Sequence, residues 1–147
     1  MKKLLSVLFI TVLLCGAVAV AQDATSTQSA YTPKFQGDPA RSDSEAAALG
    51  YMRVVVNAQK NYKKKRGYYA SSLQNLVGQG SFTKRMVSTS RGDYTARFKG
   101  AKDGYALWMT PNTIDASHRA FFVDESGKIK AEEDKQASAT SPAVTAR

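Results

Sequence analysis

The sequence predicts an α+β fold in which one long N-terminal amphipathic helix packs on an antiparallel sheet of three to four strands. Two observations carry this reading. A single stretch repeats its apolar residues at helical spacing, and the segments after it switch to an alternation of period two, separated by turn signals.

The helix opens on Ser42-Asp43-Ser44-Glu45, a capping-box pattern in which Ser42 caps and Glu45 reaches back. Ala48, Tyr51, Val55, Ala58 and Tyr62 then recur on one face, and Met52 and Val56 widen the stripe. The opposite face carries Arg53, Asn57, Lys60 and Lys64, and Gly67 supplies the stop, so the spacing predicts a helix from Asp43 to Arg66. A short second helix is expected over 71–77, capped by Ser71 or Ser72, with Leu73, Leu76 and Val77 facing inward. The stretch 81–91 is polar, basic and turn-like.

In DYTARFK, Tyr94, Ala96 and Phe98 alternate with Thr95, Arg97 and Lys99. After the Asp103-Gly104 turn signal, Tyr105, Leu107 and Met109 repeat the pattern. HRAFFVDESGKIKA reads as a hairpin, with strands over 119–124 and 128–131 around a Glu125-Ser126-Gly127 turn.

The ends of the chain bear on its compartment. A basic start at Lys2 and Lys3, the apolar run LLSVLFITVLLCGAVAVA and the polar QDATSTQ follow the order of a secretory signal, and Ala19-Val20-Ala21 fits the cleavage site. The predicted organisation is a signal peptide over 1–21, a disordered tether over 22–41 containing Pro33 and Pro39, a globular domain over 42–135 and a disordered tail over 136–147. An uncleaved segment anchored in the inner membrane is the alternative, since the apolar run approaches spanning length. Cys15 follows Leu14, where a lipoprotein signal needs a small residue.

Cys15 is the only cysteine in the 147 residues, so a chain cleaved after Ala21 holds no disulfide, thiol nucleophile or Cys-ligated metal. The net charge of +9 falls by two when Lys2 and Lys3 leave with the signal, and the remainder still draws the chain toward anionic polymers or membrane surfaces. His118 is the only histidine, which excludes a multi-His metal site, and it reads as a surface or loop residue. No nucleophile-elbow, zincin or phosphate-loop pattern occurs. Asp124 and Glu125 sit in a turn context where such side chains bond the backbone. The reading is therefore non-enzymatic, with no cofactor and no small-molecule substrate.

The run Lys63, Lys64, Lys65, Arg66 between Tyr62 and the pair Tyr68-Tyr69 has two explanations. It is a solvated helix end where the macrodipole favours cations, or a patch that meets a polyanion and stacks its aromatics on it. With Lys84, Arg85 and Arg97, these residues form the candidate anion site. Trp108 lies out of phase with Tyr105, Leu107 and Met109, so it faces away from the helix beside Arg97 and Lys99. There it is either an exposed recognition residue or covered by the 81–91 loop.

The residues from about 49 to 131 resemble the globular head of type IV pilin-like and pseudopilin proteins. The resemblance rests on Ala58 and Tyr62 at the helix end, Tyr69, Leu73 and Leu76 in the following turn, Gly104 and Tyr105 opening a strand, and Phe121, Phe122, Asp124, Gly127 and Ile129 in the hairpin. The chain departs from that family in its N-terminal part. It has no leader ending in Gly, no acidic residue within the apolar run, and Pro33 and Pro39 separate that run from the helix; Ala70 also stands where proline is usual. The resemblance implies an exported structural or interaction protein, an accessory of pilus or type II secretion machinery whose partners are proteins of those assemblies. The alternative is an extracytoplasmic module that binds DNA or acidic polysaccharide.

Overall fold

The computed structural model describes residues 31–145; the expected signal peptide over 1–21 and the first part of the tether lie outside the described residues. Helix α1 spans Asp43–Arg66. Ser42 is extended at φ −149°, and its Oγ accepts the Glu45 N–H at 3.1 Å, which satisfies one of the orphan donors of the first turn. At the other end Gly67 takes the left-handed conformation at φ 82° and donates its N–H to the Lys63 carbonyl, a termination that suits glycine. Single turns of 3-10 helix follow at Leu73–Leu76 and Lys84–Val87.

Five strands form one antiparallel meander in chain order: β1 (Ser90–Arg91), β2 (Tyr94–Gly100), β3 (Tyr105–Pro111), β4 (Ala120–Asp124) and β5 (Lys130–Glu132). The expected fold is corrected in two respects. The sheet has five strands rather than three or four, and the helix is not N-terminal, because a described segment precedes it in which Asp38, Pro39 and Ala40 are buried against the domain. The strand missed by the sequence, β1, is two residues long and has no alternation to read. It pairs because Gly92, at φ 62°, turns the chain back so that Arg91 faces Tyr94.

One sheet face packs on α1. Leu49, Met52, Val55 and Val56 from the helix share a core with Tyr94, Ala96, Leu107, Met109, Phe121 and Val123 from alternate strand positions, and Phe82 closes it from the loop. The other face carries a smaller cluster, Ala120, Phe122 and Ala137, with Ala106, Trp108 and Ile114 packed against it. Ala137 belongs to the segment expected to be a free tail. Instead, the Ala131 N–H donates to the Pro142 carbonyl, the Val144 N–H donates to the Ile129 carbonyl, and Ser141 Oγ donates to Glu132. The physical reason lies in β4, whose residues Ala120, Phe121, Phe122 and Val123 are all buried. A strand apolar on both sides needs cover on both, and the small residues of the tail let its backbone approach closely.

Two polar devices fix the helix. The Glu45 carboxylate is fully buried and accepts four hydrogen bonds, from the Arg119 backbone N–H (2.9 Å), its Nε (3.0 Å), its Nη2 (2.8 Å) and the Arg41 N–H (2.8 Å). Near the other end, buried Gln59 clamps one peptide unit: its Nε2 donates to the Ala70 carbonyl at 3.1 Å and its Oε1 accepts the Ala70 N–H at 2.9 Å. Gly100 of β2 lies so close that a Cβ there would stand 2.4 Å from the same Ala70 carbonyl.

Glu45→Ala leaves the Arg119 charge buried and unpaired, and should cost about 3–5 kcal/mol in chemical denaturation. Gly100→Ala should destabilise by about 1–3 kcal/mol through backbone overlap. Gly50→Ala, whose new methyl meets nothing within 4 Å, should instead stabilise by roughly 1 kcal/mol.

Candidate functional site

The last turn of α1 presents Lys63, Lys64, Lys65 and Arg66, all exposed, and none of them forms an ion pair among the described residues. Lys63 Nζ stands 4.3 Å from the centre of the Tyr69 ring; Tyr69 meets Tyr105 edge-on at 5.4 Å, and Tyr105 stacks on Phe98 at 6.1 Å. The ammonium thus rests on an aromatic column that runs to the sheet. The Tyr69 N–H donates to the Lys102 carbonyl, which brings the β2–β3 turn and its exposed lysine beside the helix end. Tyr68 is 41% exposed and packs its edge on Tyr62.

Arg53, Asn57, Lys60 and Lys64 follow at spacings of four, three and four, so they form one exposed row about 16 Å long. Two turns border this row. A Cβ at Gly127 would lie 3.7 Å from Lys60 Nζ, and one at Gly80 would lie 3.1 Å from Asn61 Nδ2. The Arg53 guanidinium stands 5.6 Å from the centre of the Phe35 ring.

Phe35 is 52% exposed on a turn tied by Asp38. The buried Asp38 carboxylate accepts the Tyr31 hydroxyl at 2.5 Å, the Lys34 N–H at 3.0 Å and the Ala40 N–H at 3.1 Å, and the Asp38 N–H returns to the Phe35 carbonyl. Burial alone would raise the Asp38 carboxyl, but the donors of Tyr31, Lys34 and Ala40 outweigh it and hold it below the usual carboxylate range. The Tyr31 phenol is pushed up to about 12 by desolvation and by its bond to Asp38.

The other candidate residues lie elsewhere. Lys84 and Arg85 occupy the second 3-10 turn, where Tyr51 Oη donates to the Met86 carbonyl and Arg91 Nη2 to the Arg85 carbonyl. Tyr51 precedes Lys64 by about 20 Å along the helix axis, so these cations do not join the last turn. Arg97 and Trp108 are cross-strand partners on the sheet face away from α1, with the guanidinium 4.2 Å from the indole centre. Trp108 meets Phe122 edge-on at 5.4 Å. It is half-buried on a cluster that includes Ala137 of the C-terminal segment, while Phe82 of the 81–91 loop is buried on the helix side.

His118 has more company than a free surface residue. Its Nδ1 lies 2.9 Å from Asp115, its Nε2 lies 3.7 Å from Asp93, and Ser44 Oγ bonds Asp93. The Ser117 N–H and then His118 hold the Asp115 carboxyl below its ordinary range. The Ser44 hydroxyl donates to a carboxylate rather than to an imidazole, so the nucleophile–base pairing of a hydrolase is not made. Among the described residues no group of three or more His, Cys, Asp or Glu could hold a metal. A hollow of about 620 Å³, open to solvent, is lined by Ala47, Gly50, Tyr51, Val54 and Met86 together with the polar Asp43, Ser44, Arg91 and Asp93.

The Phe35 turn is hidden in the sequence because Pro33 and Pro39 have the look of a tether. Gly37-Asp38, with glycine at φ 76° beside an Asx-bonding aspartate, is the local signal for an ordered turn. Because Asp38 is depressed in the fold, the stability it contributes is present above its unfolded pKa of about 3.9 and lost as pH falls through the lower folded value. Protection of the amides of residues 34–38, relative to their intrinsic exchange at each pH, should therefore fall selectively at acid pH. Asp38→Ala should lose that protection already at neutral pH and show no further acid-linked loss.

Compared with models of known families, with curated proteins and with solved structures, the chain matches none. The resemblance to pilin-like heads thus rests on its short motifs alone.

Proposed function

We propose that this chain is a non-enzymatic interaction protein of the extracytoplasmic space, and that its partner carries negative charge and docks on the exposed face and C-terminal end of α1. One observation carries the reading: Lys60, Lys63, Lys64, Lys65 and Arg66 share a single capped helix end, and none is in an ion pair among the described residues. The macrodipole accounts for cations in the last turn but not for Lys60 and Arg53 farther up the same side. A row of unpaired cations raises the local concentration of anions and accelerates their encounter. Export rests on the N-terminal signal pattern.

A second reading, a protein partner in pilus or type II secretion machinery, draws support from the motif resemblance and from the Arg97–Trp108 pair on the far sheet face. Its difficulty is that Trp108 is already half-buried against the molecule's own C-terminal segment.

Binding of single-stranded DNA and of an acidic polysaccharide, each measured across a salt series, separates the two readings. The anionic reading expects log affinity to fall linearly with log salt. Replacing Lys63, Lys64, Lys65 and Arg66 together by alanine should flatten that slope by roughly 0.7 for each phosphate of a single strand that is no longer neutralised. Binding that ignores salt and those four changes, yet is abolished in Trp108→Ala, would instead support the protein-partner reading.

A further inference from the structure

Among the described residues the large hydrophobic side chains left exposed are Phe35 and Tyr68. They flank α1, one on the turn before its cap and the other just past its end, and the cation row runs between those ends. We infer that the Arg53–Lys60–Lys64 face of α1, with Phe35 at its tip, docks flat on an anionic phospholipid surface. This rests on the anionic-partner reading and names the partner of that same surface.

Three features favour a lipid surface over a soluble polymer. First, Phe35 is held out by construction. The buried Asp38 carboxylate ties the turn through three donors, and Phe35 opens that turn, 52% exposed, with its ring against Arg53. An exposed aromatic on a rigid turn loses little conformational freedom on docking and gains when it enters an apolar layer. A polymer bound through charge alone makes no use of it. Second, the cations lie in one straight row on a helix, which suits a plane of headgroups. Third, the acids near the row are mostly engaged elsewhere. Asp38 is buried in its turn, Asp43 is paired with Lys34 at 3.0 Å, and Glu45 is bound to Arg119. Asp124 bonds Ser126 within the β4–β5 turn, and Glu125 lies beside Gly104. No described helix is long and apolar enough to cross a membrane.

The test places a tryptophan at position 35 of the full-length chain, Phe35→Trp with Trp108→Phe so that one indole reports. Emission is read with vesicles of phosphatidylcholine plus phosphatidylglycerol and with phosphatidylcholine alone. A blue shift on the anionic vesicles only, abolished by Arg53→Glu with Lys60→Glu and Lys64→Glu, is the expected result. Should the double variant lose its fold by circular dichroism, Phe35→Ala in the otherwise unaltered chain serves. It should partition more weakly onto anionic vesicles while keeping its affinity for single-stranded DNA. Removing one cation of the row should weaken vesicle binding about five-fold. The inference falls if position 35 stays in water on anionic vesicles while the chain still binds DNA with a steep salt dependence, or if the shift is equal on uncharged vesicles. Binding to neither vesicles nor polyanions would overturn the anionic-partner reading as well.

Discussion

The structure depends first on one buried carboxylate. Glu45 is completely removed from water, and four donors surround it, three from Arg119 and one from the Arg41 backbone. Arg119 in turn donates to the Pro39 carbonyl at 2.7 Å, and its own carbonyl accepts the Tyr94 hydroxyl at 3.0 Å. The start of α1, the segment before it, the entry to β4 and the entry to β2 therefore meet at one polar knot. Desolvating such a pair offsets much of its Coulombic gain, so the knot is better understood as a device for placement. Apolar side chains would let the helix slide or rotate on the sheet at small cost. The directional bonds to Glu45 do not, and they set which face of α1 looks outward.

Gln59 does the complementary work at the other end. By holding both polar groups of Ala70 it anchors the chain just past the basic turn, and Gly100 allows β2 to approach that point without a side chain in the way. The cations of the last turn are consequently carried on a helix fixed at two places, while their own side chains remain in solvent. Position is provided by buried polar groups and charge by exposed ones. That division explains how a surface rich in flexible lysines can still present a defined row.

Much of this was legible in the residues. The capping serine, the apolar repeat and Gly67 predicted α1 with the bounds observed, because each acts locally. The alternation of Tyr94, Ala96 and Phe98 and of Tyr105, Leu107 and Met109 did the same for the central strands. What escaped notice depends on contacts distant in sequence. Glu45 reads as a partner of its own helix cap, and only the fold brings Arg119 to it across more than seventy residues. The Ser- and Ala-rich segment after residue 136 has the composition of a disordered tail, yet Phe122 and Trp108 need cover and Ala137 supplies it. Charge alone groups the candidate cations, and the fold sorts them by place: Lys63, Lys64, Lys65 and Arg66 stay together, while Lys84, Arg85 and Arg97 go to other surfaces. Phe35 was missed because an exposed aromatic inside a proline-containing stretch has no periodicity to mark it.

The central claim is that the outward face and C-terminal end of α1 are where a negatively charged partner is met. Backbone amide spectra of the full chain, titrated with a short acidic oligosaccharide as a probe polyanion, test it most directly. The account predicts that shifts concentrate at Arg53, Asn57, Lys60, Lys63, Lys64, Lys65 and Arg66. Shifts confined to Arg97 and Trp108, or to Lys84 and Arg85, would contradict it.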